Sequence, residues 1–121
     1  MSNSYIEVKL KELPDLMEKK ERQVFDLRTN LSKDERSKKF IEIQLARGIA
    51  SEKSNDKQVY SNVTMRDDEL FKRMNNDVGA VDISNKIDKD KGDLELLSME
   101  LRRLINDFRA YRSIATLKGG N

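Results

Sequence analysis

The 121-residue chain has no cysteine, no histidine and no tryptophan, and it contains a single proline. Without cysteine there is no disulfide and no thiolate metal site. Without histidine it also lacks the commonest general base and transition-metal ligand. No apolar run approaches the eighteen or so residues that span a bilayer, and the N-terminal stretch has no apolar segment of the secretory type. The expectation is a protein of the cytoplasm with no membrane association. Glycine-rich phosphate loops are missing too. The nearest thing to a calcium loop, Asp88 to Met99, has Asp93 where glycine is needed and Met99 where glutamate is needed. The residues therefore point away from an enzyme and imply no cofactor and no metal.

Charge and a heptad pattern are what the sequence does have. Charged residues make up 38% of the chain and hydrophobic ones 36%, a balance too polar for a thick core and suited to thin helical structure. One apolar stripe steps by fours and threes through Ile6, Leu10, Leu13, Met17, Lys20, Val24, Leu27, Leu31, Asp34, Lys38, Ile41 and Leu45. A second steps likewise through Ile83, Ile87, Asp90, Leu94, Leu97, Leu101, Leu104, Phe108, Tyr111 and Ala115. That 3.5-residue period is the seam of a coiled coil. Folding the two back antiparallel with facing numbers summing to 128 sets Lys38 against Asp90, Leu31 against Leu97 and Leu45 against Ile83. A sum of 121 or 135 leaves buried charge facing leucine or isoleucine. The expected fold is all-α, a long antiparallel helical hairpin with a short helix near its turn, forming one domain over residues 1–121.

The elements expected are a first long helix over about 14–50, a loop over 51–63, a short helix over 65–78 and a second long helix over about 81–116. Pro14 marks a helix start or a kink, since proline belongs in the first turn. Ser32 to Glu35 has the form of a capping box, although the heptad phase runs through it and favours one helix. Thr64 is the expected cap of the short helix, with Asp67, Asp68 and Glu69 near its positive end. Leu70, Phe71, Met74 and Val78 form its expected packing face. Gly79 would relax the backbone before the last helix. Phe40, Ile43, Leu96 and Met99 lie off the stripes, and as outward apolar residues they predict a homo-oligomer.

The net charge of +2 is unevenly spread. Residues 1–47 hold 11 basic and 9 acidic side chains, residues 48–100 hold 8 and 12, and residues 101–121 hold 5 and 1. Two basic zones are candidates for an anionic partner, nucleic acid first. One is Arg102, Arg103, Arg109 and Arg112; the other is Arg47, Lys53, Lys57 and Arg66.

Val59-Tyr60-Ser61-Asn62, followed by Arg66 and Leu70 and later by Leu101-Arg102-Arg103-Leu104 and Arg109-Ala110-Tyr111-Arg112, resembles small helical proteins of phage and prophage recombination modules. The arrangement also resembles UvsY-type recombination mediators, oligomeric phage proteins that bind single-stranded DNA and help load a recombinase onto strands coated by single-strand-binding protein. The resemblance implies DNA contacts at Arg47, Lys53 and Lys57 ahead of the tyrosine turn, in a cluster that Glu52 and Asp56 interrupt. It implies single-stranded DNA, a recombinase or a single-strand-binding protein as partners, in the host cytoplasm. The alternative reading is a structural or adaptor coiled coil that binds only protein.

Overall fold

A computed structural model describes residues 3–119, and about 90% of the chain is helical, so the protein is all-α. Helix α1 is Asn3–Ser51, a two-stranded ribbon follows as β1 Lys53–Ser54 and β2 Lys57–Gln58, and then come α2 Val63–Asn76 and α3 Val78–Gly119. The helix expected from residue 14 thus begins eleven residues earlier, with Pro14 inside it. Proline removes one backbone donor there. Ile6 and Leu13 before it and Val24 after it are buried, so apolar burial on either side of the proline outweighs the lost bond. Ser32 opens no new helix. Nearby hydroxyls return to the helix backbone, Thr29 Oγ1 to the Phe25 carbonyl at 3.0 Å and Ser37 Oγ to that of Lys33 at 3.1 Å.

The segment expected as a plain loop contains the ribbon, in which Lys53 faces Gln58 and Ser54 faces Lys57. Its two turn residues, Asn55 and Asp56, have φ of 53° and 64°. Positive φ at both positions is what a tight hairpin turn requires, and asparagine and aspartate tolerate it better than other non-glycine residues. Asn62, not Thr64, caps α2: its Oδ1 accepts from the Met65 backbone N–H at 2.8 Å. Asp77 alone separates α2 from α3. Its N–H donates to the Arg73 carbonyl at 2.8 Å, closing α2, and its Oδ2 accepts from the Ala80 N–H at 2.8 Å, capping α3. Gly79 therefore lies in the first turn of α3 without positive φ, and it is space that favours glycine there. A Cβ would come within 3.3 Å of the Asp77 carboxylate.

The packed face of α2 also differs from the expected one. Arg66, Glu69, Leu70, Arg73 and Met74 are half-buried, whereas Phe71 is 72% exposed and Val78, which begins α3, is 75% exposed. The inward stripe therefore follows the charged residues at helical spacing, and Phe71 falls to one side of it.

The described residues form two compact units, one from the chain before Asn30 and after Asp90, the other Asn30–Asp90. In the first, the Tyr5 and Tyr111 hydroxyls are 3.4 Å apart and Lys20 Nζ donates to Glu100 Oε2 at 2.6 Å. In the second, Lys86 Nζ lies 3.0 Å from Asp34 Oδ2 and 3.3 Å from Asp34 Oδ1, with hydrogen-bonding geometry only at Oδ1. A Cβ on Gly79 would meet Ile41 Cδ1 at 3.8 Å. Within each unit α1 and α3 thus pair antiparallel, with facing numbers summing to 116–120 instead of 128. The expected Lys38–Asp90 pair does not form. Asp90 is 8% exposed and its Oδ2 has no hydrogen-bond partner.

The reason lies at the end of α1. Since Gly79, one residue into α3, is beside Ile41, the α1 residues Leu45 and Ile49 fall beyond the start of α3. Yet Ile49 is 1% exposed. Near it lie the ribbon, whose Gln58 Nε2 donates to the Ala50 carbonyl at 3.5 Å, and α2, which Arg73 ties to Glu52. The heptad argument gave this stretch of the stripe to α3, and so displaced the facing sum by 8 to 12.

Because Asp90 is a buried carboxylate without a partner, Asp90→Leu should stabilise the fold by about 1–3 kcal/mol in urea titrations. A Lys38–Asp90 ion pair would make the same change destabilising.

Candidate nucleic-acid interface

Four of the eight basic candidates lie in or beside the ribbon unit. Opposed residues of a hairpin share a face and successive ones alternate, so Lys53 and Lys57 point to opposite faces of the ribbon. They do not form one patch. Arg47 is exposed on α1. Arg66 is half-buried, and its Nη1 donates to the Tyr60 carbonyl at 3.2 Å, which fixes the entry to α2.

Sequence reasoning passed over Arg73, which organises this region. Its Nη2 donates to Glu52 Oε2 at 2.7 Å and its Nε to Glu69 Oε1 at 2.8 Å, while the guanidinium sits 5.7 Å from the centre of the Tyr60 ring. Hydrogen bonds donated to the two carboxylates, Glu52 first, raise the Arg73 pKa beyond its already high value. In turn the Arg73 hydrogen bond holds the Glu69 carboxyl below the usual glutamate range. One half of this cluster was readable, because Glu69 and Arg73 are four apart on a helix. Glu52, twenty-one residues away, gave no such signal. The consequence for function is that one face of the Tyr60 ring is taken by Arg73 and is closed to a stacking base.

The other four candidates are on α3. Arg102, Arg103, Arg109 and Arg112 are all exposed, and none makes an ion pair among the described residues. Asp107 is the single acid from residue 101 onward. Arg102, Arg109 and Arg112 are seven and three residues apart, which places them on one side of the helix, with Arg103 about 100° round from Arg102. Arg109 and Arg112 line a shallow hollow of about 600 Å³ together with Ser113, Thr116 and Leu117. The arrangement offers planar guanidinium forks and hydroxyls to phosphate oxygens.

Aromatic stacking is not built in beside it. Tyr111 is half-buried and stands edge-on to Tyr5 at 5.9 Å and 62°, and Lys9 Nζ lies 5.5 Å from the Tyr5 ring centre. The Tyr5 hydroxyl pushes the Tyr111 phenol pKa up, since the shared hydrogen bond needs a proton. Among the described residues no group of three or more carboxylates could hold a metal ion. The oligomer candidates Phe40, Ile43, Leu96 and Met99 are exposed, the first two on α1 and the other two on α3.

The Glu69 carboxylate contributes stability above the unfolded glutamate pKa of about 4.3, and that contribution is lost as pH falls through its lower folded value. Urea midpoints followed from about pH 5 down to about pH 3 should therefore fall more steeply for the native chain than for Glu69→Gln. Equal slopes would mean that Glu69 carries no such linkage.

No protein-family model matches the chain, and no curated protein or solved structure was found to be similar to it.

Proposed function

We propose that the chain is a non-enzymatic, oligomeric helical accessory protein of phage-type DNA recombination that holds single-stranded DNA by its phosphates on the arginine face of α3. The observation that carries this reading is the set of four exposed arginines on one stretch of helix with a single acid among them and no ion pair among the described residues. Such a surface gains affinity by releasing counterions from the strand and reads no base sequence. The turn zone is the weaker half of the interface: Lys53 and Lys57 diverge, and Arg66 is engaged by a backbone carbonyl. With Tyr111 half-buried and engaged edge-on by Tyr5, the electrostatic part of single-strand binding dominates over stacking.

The scaffold of this reading is a helical hairpin, which the Lys20–Glu100 and Lys86–Asp34 ion pairs between α1 and α3 support. Oligomers formed through Phe40, Ile43, Leu96 and Met99 would repeat a weak site and supply avidity. The recombination setting, with a recombinase or single-strand-binding protein as partner in the host cytoplasm, rests on the likeness to UvsY-type mediators. One observation favours a protein-only adaptor instead, namely the exposure of Phe25, Phe40, Leu96 and Met99.

Fluorescence anisotropy with a labelled single strand at about 50 mM salt tests the reading. Binding should weaken steeply with added salt. Arg109→Ala with Arg112→Ala should reduce affinity by roughly tenfold or more, and Lys53→Ala with Lys57→Ala by less. No binding by a protein shown to be oligomeric would leave the adaptor.

A further inference from the structure

The apolar surface least accounted for lies on and around α2. Val59, Val63, Met65, Phe71 and Val78 are all exposed, five large apolar side chains within twenty residues of chain. Beside them runs an open groove of about 640 Å³, lined by Tyr60, Met65, Phe71, Asp68, Lys72 and Asn75 among others. Helix α2 buries its Leu70 and Met74 side on its own unit, and the Arg73 cluster fixes it there, so the groove is held in shape before anything binds.

We infer that this groove is a two-fold contact surface on which α2 of a second copy of the chain docks antiparallel. The charges of the groove choose the occupant. Met65, Asp68, Lys72 and Asn75 follow one another at helical spacing along one stripe. Asp68 and Lys72 make no ion pair within the chain among the described residues. Laid antiparallel about a two-fold axis near position 70, Asp68 of each copy faces Lys72 of the other, and Met65 faces Asn75. A surface that meets itself with acid against base, twice, is self-complementary in the way a two-fold dimer requires. Phe71 lies close to that axis and meets its own copy, which suits an aromatic anchor at the centre of an interface. This contact lies on a different helix from Phe40, Ile43, Leu96 and Met99, and it does not depend on nucleic acid.

Sedimentation equilibrium without nucleic acid tests it. The native chain should dimerise, and Asp68→Lys or Lys72→Asp alone should weaken the dimer by about tenfold through two like-charge contacts each. Mixing the two single variants in equal amounts should restore association, because both charge contacts are then opposite in sign. The double variant Asp68→Lys with Lys72→Asp should dimerise as the native chain does, and Phe71→Ser should weaken the dimer whatever the charges. Circular dichroism confirms that each variant keeps its helix. A native chain still monomeric at about 100 µM, single variants that associate normally, or a mixture no tighter than its components would each overturn the inference. Failure of DNA binding would leave it standing.

Discussion

Arg73 reaches from α2 to Glu52, just past the end of α1, and to Glu69 one turn back on its own helix, and the pairing of α1 with α3 in the ribbon unit follows from where that puts α2. Ile49, near the end of α1, is 1% exposed. Only Asp77 then separates α2 from α3, so α3 cannot start further along α1 than Ile41. Arg73 and Glu69 of α2 thereby join Glu52, in the connection after α1, in one charged cluster. Their strength is geometric: one planar guanidinium satisfies two carboxylates and covers a ring, so its orientation is fixed from three sides.

That constraint is met at a cost in buried charge. The observed pairing gives Asp34 a cation in Lys86 and leaves one oxygen of Asp90 buried without a partner. The pairing that would neutralise Asp90 requires α3 to occupy the end of α1. The observed pairing keeps both caps at Asp77 and tolerates one unsatisfied carboxylate. The unpaired acid also explains why charge matching along the seam was a misleading guide.

The helical class was legible, because Ile6, Leu13 and Val24 of the four-three stripe are among the buried positions. Register was not legible. It depends on Glu52 meeting Arg73, a contact between residues with no periodic relation. The length of α1 was half legible: the heptad phase crossed Pro14 and Ser32 unbroken, and burial followed the phase instead of the local punctuation. The Asn55-Asp56 turn was readable in principle, as a pair of residues tolerant of positive φ between two short polar strands, and was passed over for want of apolar alternation. Of the candidate site, residue identity alone found the exposed arginines of α3. It could not separate Lys53 from Lys57, because facing across a hairpin is set by register.

For function, the division of basic residues matters more than their number. Near the turn, Arg66 is spent on structure, Lys53 and Lys57 point apart and Arg47 stands exposed on α1, whereas those of α3 face outward together, which is why the proposed phosphate contacts are assigned there. The whole account rests on the register, and the native chain offers a direct measurement of it. Zero-length carbodiimide coupling joins a lysine to a carboxylate only when the two touch, and mass spectrometry identifies the joined residues. The structure predicts links between Lys20 and Glu100 and between Lys86 and Asp34, pairs that stand 2.6 and 3.0 Å apart. Linkage of Lys38 to Asp90 within one chain, in place of these two, would contradict it.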